Sequence, residues 1–413
     1  MILLDILEEH FEEVDFLCLQ RGKALSERGF DLGRLTELEE RLLAHLDGLI
    51  LAEGDAWNLL KPKLTEGDRG EAFAAAFVAL ASGEAGYSDD LTKALDQAEG
   101  PVLEGIQEAL RHSSSVEVEQ ILRPRLGGAN PRVRAIAFDV LSFRRVALDA
   151  KQLELSLLNK DPIVVAAAAT AVGRLRVRPL MTRLEDLFSS DNPPVRRAAM
   201  RAALLVGSEK TMAHCRAAIQ QKSEEMSDAR TLIGLAGHAE DARLLVEALN
   251  QPELARSAVT ALGWLGQASA IDALTPLAAD PKLSRLVGDA IARITGLNLE
   301  KEQLVATAHA ALKPQDGADD DFAEDPDEGL PWPDPAKLAA WWKANASRFN
   351  KTTHYRHGQS HSRQVLIDIL HHGNLPDRYH AAFELALLDS ASPLLETHAF
   401  ADRQRRDLAR LAR

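Results

Sequence analysis

Apolar residues recur along this chain at the spacing of one face of an α-helix. Near the start, the positions that share such a face are apolar: Leu4, Leu7, Phe11, Val14 and Leu17. Acidic residues occupy most of the positions between them. A second stripe follows at Leu35, Leu38, Leu42, Leu46 and Leu49. Both stripes predict amphipathic helices, because side chains three or four residues apart lie on one side of a helix.

Prolines mark the middle of the chain at a near-constant step of about 30 residues, with one step skipped. The prolines are Pro101, Pro131, Pro162, Pro193, Pro252 and Pro281. An Asn or Asp that can cap a helix stands before or near most of them: Asn130, Asp161, Asn192, Asn250 and Asp280. A proline fits the first helical turn, where its missing N–H is not needed. Each proline therefore predicts the start of a helix.

Glycines mark a second fixed position in the repeat. Gly234 and Gly237 recur one step later as Gly263 and Gly266, and we expect these glycines to end helices. An apolar stripe precedes each pair, and a further stripe lies on the helix before. Because a fixed period near 30 residues is typical of stacked repeats, the sequence predicts an all-α fold, an α-solenoid of helix pairs.

The expected organisation has four parts. Residues 1–68 form an N-terminal helical cap, 69–312 hold the repeats, 313–336 form an acidic Pro-rich linker, and 337–413 form a C-terminal helical module. From residue 314 onward the linker has nine acidic residues and no basic one, so we expect it to be disordered or extended. The C-terminal module carries 12 basic and 7 acidic residues.

Two stretches carry a family resemblance. Asn130-Pro-Arg-Val-Arg-Ala-Ile-Ala137 and Asn192-Pro-Pro-Val-Arg-Arg-Ala-Ala199 closely resemble the short HEAT-like repeat first described in phycobilisome lyases. The whole arrangement is similar to an uncharacterised bacterial family of HEAT-repeat proteins, through residues 40–49, Leu330-Pro-Trp-Pro-Asp-Pro335 and Ala340-Trp-Trp342. Genes of that family often lie close to type VI secretion clusters. The resemblance therefore implies a secretion-associated helper role, and it brings no active site with it.

Composition and missing motifs exclude several function classes. The net charge of −14 disfavours binding of the whole chain to nucleic acid or anionic lipid. Walker and Gly-x-Gly-x-x-Gly motifs are absent, and so is the His-Glu dipeptide of the di-iron HEAT-repeat hydroxylases. Cys18 and Cys215 suggest no disulfide framework, and there is neither a signal peptide nor an apolar run of membrane-spanning length. We expect a cytoplasmic protein without a cofactor.

Arginines and tryptophans are the candidate partner-binding residues. The arginines near the starts of repeat helices are Arg134, Arg196, Arg256 and Arg285. Equivalent positions of a solenoid line up, so these side chains would form a strip that grips an acidic partner segment. Alternatively, each arginine pairs with an acid of a neighbouring repeat. Trp332, Trp341 and Trp342 are either a binding hot spot or a staple that packs the C-terminal module.

The acidic linker has two interpretations as well. It is either a solvated spacer or a segment that folds back on the basic C-terminal module or the arginine strip. In the second case it shields those positive charges until a partner displaces it.

The sequence favours a non-enzymatic scaffold or adaptor that binds protein through its repeat surface. The alternative is a metal- or cofactor-dependent protein with its site in the His-rich C-terminal module, where His354, His357 and His361 precede His371 and His372. Bound metal that is lost when the first three histidines are changed to alanine would favour the alternative. A stable protein complex without metal would favour the scaffold.

Overall fold

A computed structural model describes residues 4–221, 226–306, 325, 327–389 and 393–411. In the first half, the helices are α1 (Leu4–Ala24), α2 (Leu32–Leu51), α3 (Glu53–Leu60), α4 (Lys63–Glu66), α5 (Arg69–Ala81), α6 (Ala85–Gln97), α7 (Gly100–His112), α8 (Glu117–Leu122), α9 (Pro131–Phe143), α10 (Ala150–Leu157), α11 (Pro162–Arg174), α12 (Met181–Asp186) and α13 (Pro193–Val206).

The second half continues in the same manner. Its elements are α14 (Lys210–Gln220), α15 (Met226–Ala236), α16 (Ala242–Ala248), α17 (Pro252–Leu265), α18 (Ile271–Leu274), α19 (Ser284–Thr295), α20 (Pro335–Asn345), β1 (Tyr355–Arg356), β2 (Gln359–Ser360), α21 (Arg363–His372), α22 (Leu375–Leu388) and α23 (Ala401–Leu411). Short 3₁₀ turns at Arg123–Gly127, Arg178–Leu180, Ala239–Asp241, Ala268–Ala270, Thr275–Ala279 and Ala346–Arg348 lie between them.

Residue contacts divide the chain into two compact units. Unit 1 comprises residues 1–208 and 369–413, and unit 2 comprises residues 209–368. One boundary falls inside the predicted repeats and the other inside the predicted C-terminal module, so neither coincides with a boundary of the four predicted segments. The reason is that α23 packs against α2 near the start of the chain, a contact that no local pattern reveals.

Helix-on-helix stacking builds both units, and the prediction of an all-α repeat fold is confirmed. In unit 1, α5, α7, α9, α11 and α13 each pack against the next in that order. In unit 2, α15, α17 and α19 do the same. Each stacked helix follows another helix or a 3₁₀ turn, so the repeating element is a helix pair. Such a pair buries its apolar faces only against its neighbours.

The first two helices complete the stack of unit 1 as their apolar stripes predict. Helix α1 buries Leu7, Phe11, Val14 and Leu17, whereas Leu4 is exposed. Helix α2 buries the predicted leucines from Leu35 to Leu49. Both helices pack against α5. Among the described helices, none is long and apolar enough to cross a membrane.

Three of the five predicted helix caps form. The side chains that accept hydrogen bonds from backbone N–H groups of the first turn are Asn130, Asp161 and Asn192. The other two predictions are wrong. Helix α17 is preceded by Gln251 rather than Asn250, and Gln251 makes no side-chain cap. Helix α19 begins only at Ser284, so Asp280 lies in the turn before it.

Two of the four repeat glycines do not end helices. Gly266 ends α17 with φ +72°, and Gly237 follows the last residue of α15, as predicted. Gly234 and Gly263 instead lie inside their helices, at the contact with the next repeat. A Cβ atom on Gly263 would lie 2.9 Å from the Cα of Ala290. These two glycines are therefore packing positions, where the absence of a side chain lets neighbouring helices approach closely.

Unit 2 ends in a helix and a small hairpin that lie against its last repeats. Helix α20 packs against the 3₁₀ turn Thr275–Ala279, and β1 packs against α19. Strands β1 and β2 pair antiparallel, with Tyr355 opposite Ser360. The chain before α20 also pairs with an earlier strand-like stretch, through a single bridge between Val305 and Pro333.

Replacing Gly263 with alanine tests the packing role. The new methyl group would overpack the α17–α19 contact, so we expect the free energy of unfolding to fall by about 1–3 kcal/mol. Urea denaturation followed by circular dichroism measures the change. Gly22→Ala is the matched control, because a Cβ at Gly22 meets nothing within 4 Å and alanine favours α-helix by about 1 kcal/mol. Equal stability of the two variants would contradict the packing role.

Candidate functional site

In unit 2, two of the predicted arginines hold the end of the acidic linker. Arg256, on α17, donates from Nη1 and Nη2 to the two carboxylate oxygens of Asp327, at 3.0 and 2.8 Å. Arg285, on α19, donates from Nη2 to both carboxylate oxygens of Asp325 at 2.7 Å. Arg285 Nη1 also donates to the backbone carbonyl of Asp327, at 2.9 Å. We call these four residues the arginine–aspartate clasp.

The chain that follows the clasp continues along the same repeats. The Trp332 ring lies 4.7 Å from the guanidinium carbon of Arg285, within the range of a cation–π contact. The carbonyl of Trp332 accepts a hydrogen bond from the N–H of Ala306 at 2.9 Å, and the N–H of Asp334 donates to the carbonyl of Leu304 at 2.7 Å. Backbone pairing thus fixes the segment that carries the two aspartates.

Electrostatics and burial favour the clasp. The hydrogen bonds from Arg285 hold the pKa of Asp325 below its usual value. Asp327 is only 5% exposed, and an ionised carboxylate removed from water requires a partner charge or hydrogen bonds. Arg256 supplies both, through the bidentate geometry that a guanidinium fork offers to a carboxylate. The clasp is therefore built for an acidic segment.

The two arginines of unit 1 do not form such a clasp. Arg196 is 5% exposed, and its Nη1 donates to the carbonyl of Ser190 at 2.6 Å, just before its own helix. Arg134 is half-buried on α9, and its buried Nε has no hydrogen-bond partner among the described residues. The predicted strip of four arginines is thus two arginines, Arg256 and Arg285, within one unit.

The tryptophans have different surroundings. Trp342 is buried, donates from Nε1 to Asp272 on α18 at 2.8 Å, and lies 5.8 Å from the ring of Phe349. Its hydrogen bond lowers the pKa of Asp272. Trp341 and Trp332 are half-buried. The geometry of Trp342 is that of a staple, and Trp332 forms part of the arginine surface.

Two of the candidate histidines lie side by side. His354 and His361 stack with ring centroids 4.1 Å apart. Burial, followed by the charge of Arg356, lowers the pKa of His354 to about 2, so this ring stays neutral. His357 occupies the turn between β1 and β2, where its N–H donates to the carbonyl of Arg293 at 2.7 Å. Metal binding at these histidines stays a prediction.

In unit 1, two arginines of the repeats bind backbone carbonyls of the C-terminal segment. Arg145 Nη2 donates to the carbonyl of Leu394 at 3.0 Å and forms an ion pair with Asp407 at 3.2 Å. One repeat later, Arg176 Nη2 donates to the carbonyl of Ala386. Sequence reasoning missed both arginines. Arg145 and Arg176 occupy the repeat position that Gly207 holds one repeat later, and all three residues have a positive φ. Positive φ favours glycine. An arginine at a position where the next repeat has glycine was therefore the signal in the sequence.

An open groove crosses the same stack. It has a volume of about 670 Å³ and extends over α7, α9, α11 and α13. Rows of equivalent residues line it, among them Ala135, Ala166 and Arg197 in one row and Ile136, Ala167 and Ala198 in another. The small side chains of the alanines leave room above the helices along this groove.

A buried polar network joins the C-terminal segment to the first helices of unit 1. Arg21 donates to Glu39 at 2.7 Å, to Glu108 at 3.0 Å and to the carbonyl of His398 at 2.7 Å. Nearby, His112 contacts Glu108 at 3.0 Å and stacks on Phe400, with ring centroids 4.2 Å apart. The network connects residues far apart in sequence: the Arg21–His398 contact spans 377 positions.

Burial disfavours the charged forms of the ionisable side chains in this network. Burial, followed by the charge of Arg21, lowers the pKa of His112 to about 4. Burial works the other way for Glu108, but the hydrogen bond from His112 and the charges of Arg21 and Arg111 hold its pKa well below the usual value. A neutral His112 thus donates to an ionised Glu108.

Acid should destabilise unit 1 through His112. The unfolded chain binds a proton at this histidine near pH 6.5, whereas the folded state resists protonation down to about pH 4. Stability is therefore complete above pH 6.5 and is lost as the pH falls, by about 1.4 kcal/mol per unit from this residue. Urea unfolding between about pH 7.5 and about pH 5 measures it.

The variant His112→Gln keeps a neutral N–H donor but cannot titrate. We expect the stability difference between the original protein and this variant to shrink as the pH falls. Exposed His371 provides the control variant, His371→Gln, which should leave the pH dependence unchanged. A pH-independent difference for His112→Gln would contradict the assignment.

Comparisons with known proteins add little. No family model matches the chain, and no curated protein matches it either. Nine chains of solved structures match. One of them is an engineered protein known from a crystal structure, with 16% identity, a TM-score of 0.28, and coverage of 92% of this chain and 99% of that one. At that TM-score the similarity carries no argument about fold or function.

Proposed function

We propose that this protein is a non-enzymatic adaptor whose repeat surface binds acidic segments of partner proteins. The observation that carries the proposal is the arginine–aspartate clasp, in which Arg256 and Arg285 bind two carboxylates at a turn of the chain. The arginines belong to successive repeats, so they read two acidic residues that lie close together in sequence. A partner segment with the same spacing of carboxylates would meet the same donors.

The clasp combines the two ingredients of peptide recognition. Bidentate guanidinium–carboxylate pairs supply charge-assisted hydrogen bonds with a defined geometry. The ring of Trp332, 4.7 Å from Arg285, adds an aromatic surface of the kind that is enriched in binding hot spots. The groove of unit 1 offers the same protein a second, less charged surface.

The chain's own acidic segment regulates this site in the proposal. A tethered segment competes at an effective concentration in the millimolar range, so a free partner peptide binds weakly while Asp325 and Asp327 stay in place. A partner with more carboxylates, or with a second contact elsewhere, displaces the segment. The linker thus acts as a shield that a specific partner removes.

The family resemblance suggests the partner class. We propose a cytoplasmic role beside type VI secretion, with a structural component, an effector or a cognate neutralised toxin as partner. The support is the resemblance of residues 40–49 and 330–342, together with the acidic specificity of the clasp. The chemistry of recognition does not depend on that assignment.

A peptide of residues 314–329, added to the full-length chain, tests the function. We expect weak binding to the original protein and about tenfold or tighter binding to the variant Asp325→Asn/Asp327→Asn, whose own segment no longer competes. Isothermal titration calorimetry at low salt measures both affinities. Adding Arg256→Glu/Arg285→Glu to the neutralised variant should abolish peptide binding.

Two controls match the charge changes. Glu300→Gln/Glu302→Gln neutralises two exposed acids outside the clasp and should not raise peptide affinity. Arg243→Glu reverses an arginine that pairs with Glu247 on α16, with 87% of its side chain exposed, and should not abolish binding. Peptide binding that ignores Arg256 and Arg285 would refute the proposed function.

A further inference from the structure

A cavity of about 200 Å³ lies within unit 1, at a distance in sequence from the clasp and outside its proposed role. The repeat helices α11 and α13 form one wall. Tyr379 and Phe383 of α22 and the stretch 394–398 form the other. The C-terminal part of the chain therefore forms the second wall of a partly open cavity, in which Tyr379 is exposed.

Arginines dominate the charges of the lining. Arg111, Arg174 and Arg201 line the cavity together with a single carboxylate, that of Glu396. Arg174 is neutralised by Asp139 at 2.7 Å and by Glu396 at 3.1 Å. Arg111 shares Asp139 at 2.6 Å. These pairs account for two of the three positive charges.

Among the described residues, the third charge, on Arg201, has no acidic partner. Residues equivalent to Arg201 in the preceding repeats are Thr170, Asp139 and Glu108, each 31 positions apart. This row of equivalent positions thus begins with Glu108 and Asp139, which pair with arginines, and ends with Arg201. In the part of the chain that the structure describes, the hydroxyl of Tyr379 is the one hydrogen-bond acceptor of Arg201, at 2.8 Å from Nη2.

Aromatic rings hold the Arg201 guanidinium in position. Its carbon lies 4.6 Å from the ring centroid of Phe383 and 5.5 Å from that of Tyr379. These contacts fix the plane of the group but use none of its N–H donors. Tyr379 takes one of the two Nη2 hydrogens. The other Nη2 hydrogen can form a two-donor fork with a hydrogen on Nε or on Nη1, and such a fork suits a carboxylate.

The volume of the cavity and its apolar lining restrict the class of ligand further. Pockets for drug-sized molecules span roughly 300–1,000 Å³, so a cavity of about 200 Å³ admits only a compact molecule. Phe143, Leu205 and Leu395 provide apolar surface for a carbon skeleton. One unneutralised guanidinium matches one carboxylate, whereas a phosphate dianion would call for more positive charge.

We propose that this cavity binds a small organic carboxylate, with the carboxylate on the guanidinium of Arg201 and the hydroxyl of Tyr379, and the carbon skeleton against the apolar wall. The site is separate from the clasp and takes a metabolite-sized ligand rather than a peptide. In this proposal, the protein binds a small molecule in the cavity in addition to the partner segments that it binds on its repeat surface.

Calorimetric titration of the full-length protein tests the site, in a low-salt buffer free of carboxylate and phosphate. The probes are succinate and benzoate, with inorganic phosphate and the neutral isostere succinamide for comparison. We expect at least one carboxylate to bind and both comparison compounds to fail. Arg201→Met should weaken the carboxylate by about ten- to a hundredfold, because charge-assisted hydrogen bonds are lost.

Two further variants keep the test decisive. Tyr379→Phe retains the ring and removes only the hydroxyl, so it should weaken binding several-fold even if Arg201→Met fails to fold. Arg183→Met, on α12 and outside the lining of both the cavity and the groove, should leave affinity unchanged. Absence of carboxylate binding, binding unaffected by the first two variants, or equal binding of phosphate or succinamide would overturn the proposal.

Discussion

Guanidinium groups that are removed from water require acceptors, and several arginines of this protein find theirs in distant parts of the chain. Arg256 and Arg285 bind the end of the acidic linker. In unit 1, Arg21 and Arg145 bind the C-terminal segment. Burying a charge without such partners would cost several kcal/mol. Arginine contacts therefore help to hold the folded-back segments of each unit, beside apolar side chains such as Phe383 and Leu408, which are buried.

The repeat makes this arrangement possible. A fixed step near 31 residues places equivalent side chains on one line along the stack, as the caps Asn130, Asp161 and Asn192 show. Substitution at one such position changes chemistry without changing fold. The row that holds acids at residues 108 and 139 carries Arg201 at its end, and that exchange places a half-buried positive charge in the lining of the unit 1 cavity. The proposed carboxylate site thus depends on a departure from the repeat.

Local patterns in the sequence predicted the helices but not the returning contacts. Helical spacing identified the buried faces of α1 and α2, and prolines identified the starts of α9, α11 and α13, because both signals act within a few turns. The sequence prediction placed Gly234 and Gly263 at helix ends. The sequence alone does not distinguish a glycine that is needed for close packing of a neighbouring helix from a glycine that is needed for a positive φ. The clasp was among the open interpretations of the acidic linker. The contacts of Arg145 and Arg176 depend on residues more than 200 positions away, which no local pattern encodes.

A double-mutant cycle between Arg256 and Asp327 tests the central claim, that repeat arginines bind acidic segments energetically and not only geometrically. Urea unfolding of the original protein, Arg256→Gln, Asp327→Asn and the double variant gives the coupling energy of the pair. For a bidentate pair with a buried carboxylate, the account predicts about 1–2 kcal/mol. A coupling below about 0.3 kcal/mol, the level at which independent sites simply add, would contradict it.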